Sequence, residues 1–203
     1  MKVPIALLLT VTCAGCGSWT GFGFHTDGPE MQHLKQVLAL VPGSVVADVG
    51  AGKGELTLAL AGEVGSSGRV FSTEIDPNRL QRLRELAARA KLGNVTVVEA
   101  RSAETGLPQG CCDAIVLRRV YHHLGDPSSI NASLWGSLRP GGVLIVIDFP
   151  PPLFWSRGSL GLPASDVIGE VTASGFELVR LIDDWPGRGP LASYCVVFRK
   201  PTV

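Results

Sequence analysis

The sequence lacks an excess of charge of either sign, because 18 lysines and arginines balance 18 aspartates and glutamates. A nucleic-acid-binding protein without net positive charge needs a local basic stripe, and this sequence shows none. Cysteine is also scarce, since five among 203 residues are too few for a disulfide scaffold and form no repeated C-x-x-C pattern of a zinc site. There is no internal repeat. With 45% hydrophobic residues, the chain is typical of one domain with its own core, and we expect a small-molecule partner.

The N-terminus differs from the rest of the chain. After Lys2, an apolar run begins at Pro4 that is too short to cross a bilayer as a mature helix but suits a signal peptide. Its ending, Cys13-Ala-Gly-Cys16, resembles the Leu-Ala-Gly-Cys of bacterial lipoprotein signals, with cysteine in place of leucine. We therefore expect a signal peptide over residues 1–15, a flexible tether over 16–30 and one domain over 31–203.

The lipoprotein resemblance implies cleavage before Cys16 and a lipid anchor on that residue. It implies a membrane-anchored protein on the periplasmic or cell-surface side. A short buried helix, an uncleaved anchor and a cytoplasmic location remain alternatives.

From Ser44 onward, apolar runs of strand length alternate with amphipathic stretches of helix length. This alternation is typical of an α/β fold, in which helices cover both faces of a parallel sheet. We predict strands at Val45–Val49, Val70–Ile75, Val95–Glu99, Ala114–Leu117, Val143–Asp148, Glu177–Ile182 and Tyr194–Arg199. We predict helices near Glu55–Glu63, Pro77–Lys91, Pro127–Leu138 and Ala164–Ser174, and one before Val41. The short link between the last two strands leaves no room for a crossover helix, so the predicted sheet is doubly wound, seven-stranded and mostly parallel, with an antiparallel last strand.

A glycine-rich loop follows the first predicted strand, with the sequence D-V-G-A-G-K-G-E over residues 48–55. Glycine lets a backbone turn tightly and approach a ligand, and the following helix presents unpaired N–H groups. A P-loop would need serine or threonine after Lys53, where Gly54 stands. In a dinucleotide fingerprint, Glu55 would occupy the place of the third glycine and oppose a pyrophosphate. Asp48 before the loop favours a cationic ligand.

The motif D-x-G-x-G-x-G over residues 48–54 resembles the first motif of class I S-adenosylmethionine-dependent methyltransferases. The resemblance implies a Rossmann-like methyltransferase fold and S-adenosylmethionine as the cofactor. In this family the loop wraps the amino acid end of the cofactor. The resemblance therefore assigns cofactor binding to Asp48, Gly50, Ala51, Gly52 and Gly54.

An acid at the end of the second strand binds both ribose hydroxyls in this family. Glu74, followed by Ile75, holds that position here, 24 residues after Gly50. One carboxylate can accept hydrogen bonds from two neighbouring hydroxyls, which explains why an acid belongs there. The alternative for Glu74 is a solvated strand end, whereas Asp76 before Pro77 is expected to cap a helix.

The resemblance runs from Leu38 to Lys200. After the third predicted strand, the sequence resembles the family's Gly-Asp-Ala-Glu-x-Leu-Pro stretch, in which the aspartate accepts from the adenine amino group. Ser102 stands at that position with a hydroxyl that can still accept, and the Ala103 backbone N–H is available. The stretch Leu138-Arg-Pro-Gly-Gly resembles the family's turn before the fifth strand.

The acceptor is expected beyond the carboxyl ends of the strands, where the strand order reverses. The segment after the fourth strand reads Tyr121-His122-His123, a later one reads Ile147-Asp148-Phe149, and a set of exported family members resembles both. We predict that His122 is a general base and that Tyr121 or Asp148 orients the acceptor. Adjacent histidines point in different directions on a helix, so only one is expected to face the pocket. The alternative is that both only cap or pack that helix.

Other candidates follow from composition and position. Arg118 is predicted to bind the cofactor, although Arg118 and Arg119 could instead recognise an anionic acceptor or begin a solvent-facing helix. Cys111 and Cys112 are predicted to occupy a loop without a redox or metal role. No metal is predicted, because the four histidines lack ligand spacing. The rigid apolar stretch Phe149–Arg157 suggests a lid or a membrane contact.

The predicted activity is methyl transfer from S-adenosylmethionine to a small molecule, and a hydrophobic acceptor fits the apolar stretch. An alternative from another class is a cofactor-binding lipoprotein without turnover. Ser102 and an exit from the cytoplasm, where the cofactor is made, would favour that alternative. A nicotinamide-dependent reductase is a third hypothesis, against which Glu55 argues.

Overall fold

The computed structural model describes residues 28–151, 161–186 and 193–202. Within these residues, seven strands form one sheet. The strands are β1 (Val45–Val49), β2 (Arg69–Glu74), β3 (Val95–Glu99), β4 (Cys112–Arg118), β5 (Leu138–Asp148), β6 (Glu177–Trp185) and β7 (Ser193–Arg199). The helices are α1 (Pro29–Leu38), α2 (Glu55–Val64), α3 (Pro77–Arg89), α4 (Pro127–Ser137) and α5 (Ala164–Ala173), and one 3₁₀ turn covers Tyr121–His123.

The strand order in the sheet is β3-β2-β1-β4-β5-β7-β6. β1 pairs in parallel with both β2 and β4, so the order reverses beside it. β7 runs antiparallel to β5 and to β6. The prediction of a doubly wound, mostly parallel sheet with antiparallel C-terminal strands is confirmed. Because ligands of such sheets bind beyond the carboxyl ends of the strands at the reversal, the ends of β1, β2 and β4 form the expected site.

Helices cover both faces of the sheet, and the side chains of β4 alternate between the two resulting cores. Ile115 and Leu117 pack with α4 and α5 on one face. Ala114 and Val116 pack with α1 and α2 on the other. Burial on both faces explains why this strand reads as a continuous apolar run.

The largest difference from the predicted boundaries concerns β5, which begins at Leu138 rather than at Val143. Leu138 pairs with Cys112 before the register shifts, so the glycine-containing turn belongs to the strand. This turn is bonded to the end of the chain, because the Gly141 N–H donates to the Lys200 carbonyl at 2.8 Å. Tertiary pairing therefore extends the strand through residues that local propensity assigns to a turn.

Helix α1 begins at Pro29, inside the predicted tether, so the folded part of the chain starts before residue 31. Glu30, in the first turn, is buried. The predicted signal peptide, the Cys16 anchor and the tether as far as residue 27 lie outside the described residues. None of the helices described is both long enough and apolar enough to cross a membrane.

Candidate active site

The three glycines of the loop between β1 and α2 adopt left-handed conformations, with φ of +72° at Gly50, +57° at Gly52 and +80° at Gly54. A Cβ atom added at Gly50 would lie 2.5 Å from Cγ2 of Val120. One added at Gly54 would lie 2.7 Å from a methyl carbon of Leu83. The left-handed conformation favours glycine at all three positions, and at Gly50 and Gly54 the close approach of neighbouring side chains also leaves no room for a Cβ atom.

Glu74 ends β2 with its carboxylate turned towards the glycine loop. Its Oε2 accepts from the Gly52 N–H at 3.1 Å, and its Oε1 accepts from the amides of Ile75 at 2.8 Å and Asp76 at 3.1 Å. The residue is 4% exposed. A carboxylate has about four acceptor positions, and the three amides occupy three of them. Two ribose hydroxyls need two positions, so one of them would have to share or replace the hydrogen bond from Gly52.

Asp48 lies near the end of β1 and is buried. It accepts a hydrogen bond from the Thr57 hydroxyl at 2.6 Å, and that hydroxyl also contacts the Ser72 hydroxyl at 2.9 Å. Burial raises the pKa of Asp48 to about 6, against the opposing effects of the Thr57 hydrogen bond and the charge of Arg118. A cationic group in this position would favour the ionised carboxylate.

Two adjoining cavities open at the carboxyl ends of the strands. The larger, of about 420 Å³, is lined by Glu74, Ile75 and Ser102 among others. The smaller, of about 290 Å³, is lined by Asp48, Ala51, Gly52 and Arg118 among others. Both cavities are bordered by Gly50, Arg79, Val120 and His123. The structure therefore gathers eight of the predicted cofactor residues around one connected region: Asp48, Gly50, Ala51, Gly52, Glu74, Ile75, Ser102 and Arg118.

Two predicted cofactor residues line neither of these cavities. Gly54 is buried at the start of α2, where it shapes the loop rather than its surface. Ala103 is exposed beyond the end of β3. A role for the Ala103 backbone N–H stays a prediction.

The two histidines of the 3₁₀ turn occupy different environments. The His122 side chain is 5% exposed, and its Nδ1 lies 2.8 Å from Oδ1 of the fully buried Asp148. His123 lines both cavities, and its ring centroid is 3.9 Å from that of His122. His123 is an exposed residue, and the partial desolvation of its ring, followed by the charge of His122, lowers its pKa. Only one of the two histidines therefore borders the cavities, and it is His123 rather than the predicted His122.

Comparison with known proteins agrees with this geometry. Residues 47–146 match the family model of a methyltransferase domain. This match covers just under half of the chain, which is therefore similar to S-adenosylmethionine-dependent methyltransferases in its central part.

Among curated relatives, the chain is 33% identical over 111 residues to a ubiquinone/menaquinone biosynthesis C-methyltransferase UbiE from Marinomonas sp.. That alignment covers 54% of this chain and 44% of the relative, so the chain spans less than half the length of that protein. A solved S-adenosylmethionine-dependent methyltransferase from Aquifex aeolicus shares the fold, with a TM-score of 0.73, 21% identity, and coverage of 84% of this chain and 89% of that one. Phosphoethanolamine N-methyltransferase 2 of Haemonchus contortus, in complex with S-adenosyl-L-methionine, has a TM-score of 0.71, 15% identity, and coverage of 85% and 52%.

The residues of the site fit S-adenosylmethionine, the cofactor that the resemblance implies. Glu74 offers a buried carboxylate within reach of the glycine loop, and Gly50 lets that loop pass close to Val120, which borders both cavities. The larger cavity falls within the size range of small-molecule sites. Glu74, Ile75 and Ser102 would therefore face the nucleoside, and the loop would face the amino acid end.

Tyr121, predicted to orient the acceptor, lies instead in the core. It is 1% exposed, and its hydroxyl accepts from the Asn131 side chain at 2.8 Å. It borders neither of the two cavities. The structure therefore places Tyr121 in the hydrophobic core, and its predicted role in orienting the acceptor stays a prediction.

Arg118 is the last residue of β4, so it does not begin a helix as the alternative prediction had it. Its guanidinium forms a bidentate ion pair with Glu30 of α1, in which Nε donates to Oε1 at 2.9 Å and Nη2 donates to Oε2 at 2.8 Å. The same Glu30 carboxylate accepts from the Trp185 indole at 3.3 Å. Sequence reasoning missed Glu30 because it assigned that residue to a tether, and no local pattern links two residues so far apart in the chain.

No group of three or more potential metal ligands occurs among the residues that the structure describes. The predicted lid falls mostly on residues 152–160, which lie outside the described part of the chain. Asp76 caps α3 as predicted, accepting from the Arg79 N–H at 2.9 Å.

Proposed function

We propose that this protein transfers a methyl group from S-adenosylmethionine to a small-molecule acceptor. The observation that carries the proposal is the buried Glu74 carboxylate, which faces the glycine loop at 3.1 Å from the Gly52 amide. Three backbone amides already hold this buried carboxylate, and the Arg79 guanidinium lies 3.8 Å from its Oε2. A pair of ribose hydroxyls would use its remaining acceptor position and replace or share the Gly52 contact. When bound, the cofactor supplies a methyl group activated by a positively charged sulfur.

Different parts of the site suit different parts of the cofactor. Ile75 is 56% exposed although it lines the larger cavity, which suits contact with the flat face of adenine. Ser102, on the same wall, offers a hydroxyl to the adenine amino group. Asp48 and the loop border the smaller cavity, where an ammonium group would favour the ionised form of Asp48.

We propose His123 as the group that accepts a proton from the acceptor, where the acceptor carries one. The downward direction of its pKa shift favours the neutral ring, which a proton acceptor needs. His122, the base predicted from the sequence, then becomes a positioning residue, because Asp148 fixes its ring and its ring contacts His123.

We propose that the acceptor is apolar and binds beside the nucleoside in the larger cavity. Val120, Leu124 and Ile130 contribute apolar surface there, beside His123. The name of the Marinomonas relative, a ubiquinone/menaquinone biosynthesis C-methyltransferase, supports the same class of acceptor. Because the alignment covers 44% of that relative, the acceptor is part of the proposal and does not follow from the similarity.

Two experiments test the proposal. Calorimetric titration with S-adenosylmethionine and S-adenosylhomocysteine measures cofactor binding, and we expect saturable binding of both. Incubation with tritiated S-adenosylmethionine and a lipid extract of the source cells should label a small molecule. Absence of cofactor binding would refute the proposal at its first step, and binding without any labelled product would refute turnover.

The two competing hypotheses make different predictions in the same assays. A cofactor-binding protein without turnover would bind S-adenosylmethionine and label nothing, and neither the family nor the curated relatives support it. A nicotinamide-dependent reductase would bind NADH in place of S-adenosylmethionine. Glu55 follows the third glycine of the loop and lines the smaller cavity, where it would oppose a pyrophosphate.

We propose separately that the chain is exported and anchored through a lipid on Cys16. The support is the sequence Cys13-Ala-Gly-Cys16 after an apolar run. Mass spectrometry of the N-terminus from native membranes tests it. An intact Met1 on soluble protein would exclude the anchor.

A further inference from the structure

Cys111 and Cys112 are adjacent in the chain and have their sulfur atoms 2.7 Å apart. Successive side chains of a strand normally point to opposite faces of a sheet. Here both cysteines pack against the same hydrophobic core, because Cys111 precedes the first residue of β4 and follows Gly110, whose φ is +56°. The chain turn at Gly110 thus brings two thiols together that a continuous strand would separate.

We propose that Cys111 and Cys112 are a redox-active dithiol, which a small disulfide such as oxidised glutathione converts into a disulfide between these neighbouring residues. The Cys111 thiolate attacks one glutathione sulfur and releases the first glutathione thiolate. The Cys112 sulfur then attacks Cys111 and releases the second. In total, the two protein thiols pass two protons and two electrons to oxidised glutathione. The products are one disulfide ring and two molecules of reduced glutathione.

The two thiols differ in the way that such an exchange requires. Cys112 is fully buried, whereas Cys111 is partly exposed and accessible to an oxidant. The hydrogen bond between the thiols lowers the pKa of Cys111 and raises that of Cys112, and burial raises the pKa of Cys112 further. Arg139 lies nearby and favours the thiolate of Cys111, although it is paired with Asp113, whose charge has the opposite effect. Cys111 is therefore the attacking thiol, and Cys112 the resolving one.

The resulting bond is expected to be easily reduced. Adjacent Cα atoms are about 3.8 Å apart, closer than the usual spacing across a disulfide, so the ring is strained and its bond labile. The pair lies at the amino end of β4, whereas the candidate active site lies at the carboxyl end. This inference is therefore independent of the proposed methyl transfer. Since disulfides persist in oxidising compartments, the state of this pair in protein isolated from cells also reports on its location.

The sequence provides a clean experiment. Trypsin releases residues 102–118 as a peptide whose cysteines are Cys111 and Cys112, and it places Cys13, Cys16 and Cys195 in other peptides. The native full-length protein is incubated with oxidised glutathione, quenched with acid, unfolded, alkylated with iodoacetamide and digested. We expect peptide 102–118 to be lighter by two hydrogens and free of alkyl groups, and to accept two alkyl groups after reduction. A peptide that carries two alkyl groups without reduction, or that retains glutathione, would overturn the proposal.

Three controls locate the effect. Cys195, which is buried in the core on the other face of the sheet, should stay a free thiol during the oxidation and be alkylated after unfolding. In the Cys111→Ser variant, Cys112 should stay reduced, and cofactor affinity should equal that of the wild type. The synthetic peptide of residues 102–118 should close its ring more slowly than the native protein, and equal rates would contradict the claim that the fold positions the two sulfurs.

Discussion

Replacement of Glu74 is the sharpest test of the candidate site, because one side chain connects the loop after β1 to the end of β2. In the Glu74→Ala variant, two ribose hydroxyls lose a charged acceptor. Hydrogen bonds to charged groups contribute about 1.5–3 kcal/mol, which corresponds to a loss of cofactor affinity of about 10- to 150-fold. Glu74→Gln keeps the volume and removes the charge, so we expect an intermediate affinity.

The same change alters the loop itself, and the assay must separate the two effects. Glu74→Ala leaves the amides of Gly52, Ile75 and Asp76 without their acceptor, so we expect a lower melting temperature as well as weaker binding. Binding is therefore measured by calorimetry well below the melting temperature of each variant.

Glu99 provides a matched control for this experiment. It is the residue of β3 paired in register with Glu74, it carries the same carboxylate, and it is exposed. Glu99→Ala should leave cofactor affinity unchanged. Unchanged affinity in Glu74→Ala, or an equal loss in Glu99→Ala, would refute the assignment of Glu74 to the ribose.

Three further predictions concern the loop, the buried acid and the histidines. Gly50→Ala should weaken cofactor binding, as measured by calorimetry, and lower the free energy of unfolding by about 1–3 kcal/mol, as measured with urea. An added Val120→Ala should recover part of the lost stability, and no recovery would contradict the close approach of Val120 to residue 50. The pKa of Asp48 is about 6 in the folded protein, against an ordinary value of 3.8. Its contribution to the free energy of unfolding is therefore full below about pH 4 and falls by about 3 kcal/mol as the pH rises through 6. Asp48→Asn should remove this fall, and a variant that unfolds with the same pH dependence as the wild type would exclude Asp48 as its source. His123→Gln should lower turnover about 100-fold or more at unchanged cofactor affinity, whereas His122→Gln should shift the pH–rate profile; full activity of His123→Gln would dismiss His123 as the proton acceptor.

The position of the site could be predicted from the sequence because the relevant constraints are local. Gly50 and Gly52 need left-handed conformations in a tight turn, and only glycine adopts these without strain, so the turn is visible in the sequence. Glu74 follows an apolar run of strand length, and parallel strands bring their carboxyl ends to one edge of the sheet. Together, these two rules place the loop and the acid side by side.

Contacts between distant segments could not be predicted in this way. The choice between His122 and His123 depends on the geometry of a single 3₁₀ turn and on Asp148, which lies on another strand. The ion pair of Arg118 with Glu30 joins residues 88 positions apart. No periodicity or spacing in a single sequence encodes either contact.

The carboxyl ends of three parallel strands each carry a buried carboxylate. Asp48 of β1 is 2% exposed, Glu74 of β2 is 4% exposed and Asp148 of β5 is fully buried. Each is held by its own donors, from Thr57, from backbone amides and from His122 respectively. Buried charges of one sign contribute little to stability and cluster at functional sites. Arg79, Arg118 and Arg119 border the smaller cavity as well, so this edge carries charges of both signs. An amino acid group, with its ammonium and its carboxylate, matches such a mixed edge better than a ligand with one kind of charge.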